Sequence, residues 1–293
     1  MSALAGTSRL TERPTPAVTA RNEPIVEADI PLVFRIAAGV TFTVLLLPVV
    51  IVVLAGLNAG DYLTFPPQGL SLRWVFAFLA SQSFRTSYLL SMGIAFVVML
   101  LSTTLGTMAA LFLTRVSFPG RSLMRAYFLA PLMLPGLVLG LALYVFYIVT
   151  NIGLARTLPG MVIGHVLVTV PYVIGTVSAA LYNFDLSLED AARSLGANPL
   201  RAFRLITLPI ISPGIMAGSI FAFIVSFGQF DISLFLSTPN LTPLPIAMYN
   251  SLRYKFEPTA AAAGVFAIGL VVLSMLLTGR LTNVARFAGI KFS

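Results

Sequence analysis

Long apolar runs, separated by short polar segments, dominate this chain of 293 residues. Five of the runs hold no charged residue, and one further run holds a single acid, Asp231. The six runs lie between Arg35 and Asp61, Arg85 and Arg115, Arg125 and Arg156, Arg156 and Asp185, after Arg204, and between Glu257 and Arg280. Each is long enough for a membrane-spanning helix of about 20 residues. The pattern predicts an all-α integral membrane protein with six transmembrane helices.

Composition supports this class and excludes several others. Hydrophobic residues make up 58% of the chain and charged residues 10%, whereas soluble domains carry about 25% charged residues. The absence of cysteine excludes disulfides and thiolate metal sites. The single histidine, His165, excludes a multi-histidine metal site, and we expect it to pack or to hydrogen-bond. The net charge of +8 comes from arginines that flank the apolar runs, so no nucleic-acid partner is predicted.

The distribution of Lys and Arg predicts the orientation. Six spans place both termini on one side, and 13 of the 18 Lys and Arg residues belong to that side. Because cytoplasmic loops carry the excess of these residues, both termini are predicted to be cytoplasmic. The predicted organisation is a flexible tail at 1–30, a membrane domain at 31–285 with a cytoplasmic loop at 185–209, and a short tail at 286–293.

The cytoplasmic loop carries the signals of two short helices. Ser187 lies three residues before Asp190, which is typical of a capping box at a helix start. Gly196 fits the left-handed position that ends a helix without steric cost. Asn198 and Pro199 then form a second start signal, a cap followed by proline at the first helical position. We expect Leu208-Pro209 to interrupt this second helix before the fifth span.

The loop resembles one in bacterial binding-protein-dependent ABC importer permeases of type I, whose motif is E-A-A, three residues, G, nine residues, I-x-L-P. The matching residues are Asp190, Ala191, Ala192, Gly196, Ile206, Leu208 and Pro209. Asp190 replaces the Glu of the motif and Glu189 precedes it, so either acid could fill the acidic position. The resemblance implies that this loop, including Pro199, docks as a coupling helix into a cleft of a cytoplasmic ATPase subunit.

The resemblance covers about residues 66–280 and implies the six-helix fold, the location and the partners. Within the family, the segments 230–235 and 244–249 look most like spermidine/putrescine permeases. That likeness implies import of a polyamine through a bacterial inner membrane, with an ATPase dimer, a second and different permease chain, an external solute-binding protein and lipid as partners. Phosphonates, opines or amino-acid derivatives are alternative solutes.

The chain itself has no nucleotide-binding motif. A P-loop needs a Gly-Lys pair, and the two lysines, Lys255 and Lys291, follow Tyr and Ile. ATP and Mg are therefore expected on the partner ATPase, and this chain is expected to be no enzyme and to bind no cofactor. An ion-coupled secondary transporter and an intramembrane hydrolase are rival classes, but one acid and one histidine give them little support.

Asp231 is the candidate for contact with a cationic solute. A carboxylate inside a membrane costs at least about 2.5–3.5 kcal/mol, so it should face the bundle interior or water. Aromatic rings beside a carboxylate suit an organic ammonium through charge pairing and cation–π contact. The predicted substrate-path residues are Asp231, Gln229, Phe227, Phe230 and Tyr249. A structural acid bonded to a neighbouring helix is the alternative.

Proline and glycine residues interrupt the third and fourth spans. They are Pro131, Pro135, Gly136 and Gly140 in the third, and Pro171 and Gly175 in the fourth. Such residues serve either as hinges or as close helix contacts in membranes, and both interpretations stay open at this point.

Overall fold

The structure, a computed structural model, describes residues 31–254 and 258–287, and every regular element in this part is helical. The helices are α1 (Leu32–Gly56), α2 (Arg73–Ala80), α3 (Gln82–Arg115), α4 (Arg121–Met133), α5 (Gly136–Val149), α6 (Leu158–Tyr182), α7 (Ser187–Ser194), α8 (Pro199–Ala202), α9 (Leu208–Phe227), α10 (Asp231–Leu236), α11 (Leu244–Tyr254) and α12 (Thr259–Phe287). The predicted all-α class is confirmed. The predicted tail at 1–30 and the end of the tail at 286–293 lie outside the described residues.

Among the residues that the structure describes, five helices are long and apolar enough to cross a membrane, and a sixth span results if a bent pair is counted as one. The five include α1, α3, α6, the continuous segment Pro199–Phe227 and the first part of α12. The bent pair is α4 and α5, whose axes differ by 104°. Leu134 is extended, as expected for a residue before proline, so α4 ends there and α5 starts anew after Pro135. The third predicted span is therefore broken.

The chain divides between Leu47 and Pro48, inside α1. In the first unit, the described residues 31–47 are helical from Leu32 onward and all are exposed. An apolar helix with no buried face suits a lipid-facing segment.

The second unit is built around α3, α6 and α9, which pack against one another. Small residues permit the close approach, since a Cβ on Gly106 would lie 2.6 Å from the Cβ of Val173. The hydroxyls of Ser102 and Thr169 are 2.7 Å apart and connect α3 with α6 in the buried core. A helix triad with small contacts and shared hydroxyls thus forms the centre of this unit.

His165 connects α6 with two further helices. Its ring nitrogens lie 3.0 Å from the hydroxyl of Ser226 on α9 and 3.0 Å from that of Ser233 on α10. The side chain is buried, so both nitrogens need such partners. The predicted hydrogen-bonding role of His165 is confirmed.

At the α5–α10 contact, the glycines of the third span serve close packing. A Cβ on Gly136 would lie 2.0 Å from a carboxylate oxygen of Asp231, and one on Gly140 would lie 2.8 Å from the Asp231 carbonyl oxygen. The spacing of these two glycines is the small-xxx-small pattern of close helix pairs. Gly175 differs, because a Cβ there would meet nothing within 4 Å.

A folded polar segment precedes α3 at the end of the bundle opposite to α7. The buried side chain of Asn58 accepts hydrogen bonds from the backbone N–H groups of Gly60 and Gln68. The indole N–H of Trp74 donates to the Gly60 carbonyl at 2.9 Å, which ties α2 to this segment.

Candidate coupling surface

The first helix of the polar loop, α7, begins differently from the sequence prediction. Ser187 does not cap it; instead a carboxylate oxygen of Asp185 accepts the Ser187 N–H at 2.9 Å. Leu186 already has helical angles, so the capping position lies before Ser187. The hydrogen bonds to Asp185 from the backbone and side chain of Ser187 lower the pKa of that carboxyl. The predicted Ser187 cap is wrong, because the Asp190 N–H, which the Ser187 hydroxyl would accept, donates to the Leu186 carbonyl at 3.3 Å.

The corner after α7 has the predicted geometry. Gly196 adopts a φ of +89°, in the left-handed region. The N–H of Ala197 donates to the Ala192 carbonyl at 3.1 Å, which satisfies one of the free carbonyls at the helix end. The left-handed glycine predicted at the corner is confirmed.

The second helix starts as predicted and ends differently. The Asn198 side chain accepts the Arg201 N–H at 2.8 Å, and Pro199 follows as the first helical residue. Leu208-Pro209 does not interrupt the helix, because a π-helical segment, Phe203–Thr207, leads directly into α9. There the Leu208 N–H donates to the Phe203 carbonyl five residues back. This wider turn accommodates Pro209, which has no backbone N–H to donate.

Glu189, in the first turn of α7, faces the membrane bundle. It is 6% exposed, and both of its carboxylate oxygens accept from the Arg115 guanidinium, at 2.8 and 3.2 Å. The Thr207 hydroxyl also donates to this carboxylate. Burial by itself raises the pKa of Glu189, but the bonds from Thr207 and Arg115 and the positive charge of Arg115 outweigh it and lower the pKa. Glu189 is therefore an ionised, internally paired residue.

The remaining motif residues form the outward face of the loop. Asp190, Ala191, Gly196, Pro199 and Leu208 are exposed, and Ala192, Ile206 and Pro209 are half-buried. Leucines outside the motif increase the apolar area, with Leu195 at 91% and Leu200 at 64% exposure. The loop thus presents a small-residue helix with one acid, flanked by exposed leucines, which is typical of an interaction surface.

Arg115 was not singled out from the sequence, although it ends α3 and its guanidinium meets Glu189. It also lies over the Phe184 ring, 5.7 Å from the ring centre. Arg121 was missed as well: it donates to the Leu113 and Thr114 carbonyls and so caps the end of α3. A basic residue in the last turn of a helix is a signal for such capping, but the distant partner of Arg115 leaves no local signal.

The substrate-path candidates occupy different surroundings. Asp231 is half-buried at the start of α10, with its carboxylate against Gly136 of α5. Phe230 and Tyr249 are brought together, with ring centres 5.3 Å apart, and Gln229 is half-buried beside them in sequence. Phe227 is 3% exposed and packs edge-on against Tyr88, so its ring has no free surface in this conformation.

Arg253 is a further residue near this group that the sequence did not indicate. Its guanidinium donates to the Tyr249 hydroxyl at 3.0 Å and lies 5.9 Å from the centre of the same ring. The hydroxyl and the ring of Tyr249 are therefore already in contact with the cationic side chain of Arg253. Within residues 31–254 and 258–287, no group of three or more His, Cys, Asp or Glu side chains is placed to hold a metal ion.

The apolar helices and the exposed polar loop define a multi-pass membrane protein. Residues 102–283 match the family described as "Binding-protein-dependent transport system inner membrane component", and the chain belongs to this family. It is the membrane permease component of an ABC importer and not an enzyme; ATP is hydrolysed by a separate subunit.

Two relatives and one solved structure illustrate the range of the family. The chain is 31% identical over 255 residues to the putrescine transport system permease protein PotI of Escherichia coli (strain K12), covering 85% of this chain and 89% of PotI. It is 33% identical over 213 residues to the molybdenum transport system permease protein ModB of the same strain, covering 68% of this chain and 93% of ModB.

One structural neighbour is a bacterial alginate ABC transporter in complex with an alginate pentasaccharide-bound periplasmic protein. The match has a TM-score of 0.65 at 15% identity and covers 86% of this chain and 93% of that one. At this identity the likeness shows the fold alone, which is the permease fold of an ABC importer.

Proposed function

We propose that the loop at 185–209 is the coupling element of this permease and that its outward face docks into an ATPase subunit. The observation that carries the proposal is the different surroundings of two adjacent acids. Glu189 is turned inward and paired, whereas Asp190 is exposed beside Ala191. Asp190 then fills the acidic position of the motif on the docking face. The tight corner at Gly196 and the helix start at Pro199 shape the same surface.

The proposed assembly follows the family. Two ATPase subunits bind ATP and Mg, a second and different permease chain completes the pathway, and an external binding protein delivers the solute. The complex structure of the alginate transporter with its periplasmic protein supports this set of partner types in general. This chain binds no cofactor of its own in the proposal. Both termini are cytoplasmic, on the side of the 185–209 loop, and the chain lies in a bacterial inner membrane.

The proposed cargo is a polyamine such as putrescine or spermidine. The similarity to the putrescine permease PotI over 85% of the chain supports it, as do a half-buried carboxylate, Asp231, and the aromatic pair of Phe230 and Tyr249. The comparable similarity to ModB, which transports molybdenum, supports another small solute as the second candidate. Gln229 and Phe227 complete the proposed path, Phe227 only in a conformation that exposes its ring.

The test is ATP hydrolysis by the co-purified complex in lipid, with its binding protein and a panel of solutes. We expect polyamine-loaded binding protein to stimulate hydrolysis. Stimulation by another solute only would contradict the polyamine assignment and leave the importer assignment intact. Uptake by this chain alone in proteoliposomes would contradict the importer assignment and favour an ion-coupled transporter.

A further inference from the structure

We propose that Arg115, Glu189 and Thr207 join α7 to α3 and α9 so that the three elements move together, and that transport depends on this link. The three residues, called the Arg115 cluster below, come from distant parts of the sequence. Arg115 is the last residue of α3, Glu189 lies in the first turn of α7, and Thr207 directly precedes α9. The inference rests on the proposed function, because it concerns how movement of a docked α7 reaches the membrane.

The geometry of the cluster fixes the position of α7. The Arg115 guanidinium donates to both oxygens of Glu189, at 2.8 and 3.2 Å, and to the Thr207 hydroxyl at 3.3 Å. The Thr207 hydroxyl donates in turn to the Glu189 carboxylate. Each residue thus contacts both others. A bidentate guanidinium–carboxylate pair constrains direction as well as distance, which a single charge contact does not.

Burial makes this connection stiff. Glu189 is 6% exposed and Thr207 is 0% exposed. If α7 moved away from α3 or α9, the two guanidinium bonds and the hydroxyl bond to the carboxylate would break together, and charge-assisted bonds are about twice as strong as neutral ones. A displacement imposed on α7 is therefore transmitted to the ends of two membrane-spanning helices rather than absorbed at the contact.

The cluster is distinct from the other polar contacts of α7. Among the described residues, Arg115–Glu189 is the only salt bridge that α7 forms. The other bonds of this helix that involve side chains are local: the Ser187 N–H donates to the Asp185 carboxylate, and the Ser194 hydroxyl donates to the Asp190 carbonyl. Glu189 is thus a positioning residue for coupling, whereas the exposed Asp190 contacts the ATPase.

The experiment measures solute uptake per ATP hydrolysed by the reconstituted complex. We expect Glu189→Gln to retain the ATPase through purification and to lower this ratio roughly tenfold, within the range of typical coupling effects. Arg115→Lys, which keeps the charge but not the paired bonds, should lower the ratio less than Glu189→Gln does. Asp61→Asn is the matched control, because it breaks the exposed Arg73–Asp61 ion pair of 2.6 Å at the other end of the bundle; its ratio should equal that of the unaltered chain.

A distance measurement separates coupling from a merely stabilising role. Because the chain has no cysteine, spin labels at Ser117→Cys and Ser194→Cys report the separation of the α3 end and α7. We expect the same distance with and without ATP in the otherwise unaltered complex, and a changed or broadened distance in Glu189→Gln. Thr207→Val, which keeps both charges, supplies the same tests if Glu189→Gln does not assemble.

Two results would overturn the proposal and are distinguishable. If the complex assembles and Glu189→Gln or Thr207→Val leaves both uptake per ATP and the label distance unchanged, the cluster has no coupling role and the proposed function stands. If no ATPase associates with the unaltered chain, the proposed function fails and the inference fails with it.

Discussion

Adjacent acids with opposite surroundings illustrate how single residues acquire different roles in this loop. Glu189 is buried and bonded to Arg115, while its neighbour Asp190 is exposed. Successive helix positions point in directions about 100° apart, so one acid faces the bundle and the next faces outward. Substitution of one therefore tests folding and coupling, and substitution of the other tests docking.

The depressed pKa of Glu189 predicts a pH dependence of stability. A folded-state pKa below the ordinary value of 4.5 means that this residue stabilises the fold above that pH. The contribution is lost as pH falls through the depressed pKa. We expect the thermal stability of the detergent-solubilised chain to fall more steeply as the pH drops below 4.5 than that of Glu189→Gln. Equal pH slopes would show that the carboxylate is not stabilised in the folded state.

Asp231→Asn tests the cargo assignment. If the carboxylate pairs with an organic cation, uptake of putrescine by the complex should fall severalfold or more, since a charge-assisted contact is about twice as strong as a neutral one. Complex yield should change less, because an amide of similar shape still fits beside Gly136. Unchanged uptake would assign Asp231 to the α5–α10 contact alone.

At the scale of elements, the corner at Gly196 determines how α7 meets α8. Gly196→Leu forces a side chain into a backbone conformation with φ of +89°, at a cost of about 1–2 kcal/mol for an L-residue. We expect the variant to insert but to hydrolyse ATP with little transport. Gly196→Asn, a residue that tolerates this conformation, should retain most transport, and normal transport by Gly196→Leu would refute the role of the corner.

The close contact between α5 and α10 predicts that a larger residue in place of Gly136 is destabilising. Gly136→Ala places a Cβ 2.0 Å from a carboxylate oxygen of Asp231, so it should lower the yield of folded chain and its melting temperature in detergent. Gly175→Ala is the matched control, because its Cβ would meet nothing within 4 Å. Equal melting temperatures for the two variants would show that α5 and α10 are not held closely.

Features that depend on neighbouring residues can be predicted from the sequence, whereas contacts between distant residues cannot. The Gly196 corner and the Asn198 cap depend on residues within a few positions of each other, and the structure confirms both. The predicted Ser187 cap is wrong because the Asp190 N–H donates to the Leu186 carbonyl and not to the Ser187 hydroxyl. The pairing of Arg115 with Glu189 joins residues 74 positions apart, and no periodicity or spacing predicts it.

The features of the second unit suit one subunit of a transport complex rather than a complete transporter. Its centre of α3, α6 and α9 is tied to α7 by the Arg115 cluster at one end. At the other end α2 and its polar segment are held by Trp74 and Asn58. The ATPase is a separate subunit in this family, so the position at which that subunit contacts this chain decides whether the 185–209 loop is the coupling element.

Site-directed cross-linking of the assembled complex measures that contact directly. The cysteine-free chain carries Ala191→Cys on the exposed face of α7, and Ser83→Cys, exposed at the opposite end of α3, serves as the control. With a thiol-to-amine cross-linker, we expect a product of this chain with the ATPase subunit from Ala191→Cys and none from Ser83→Cys. The absence of that product from Ala191→Cys in an assembled, hydrolysing complex would contradict the assignment of the 185–209 loop as the coupling element.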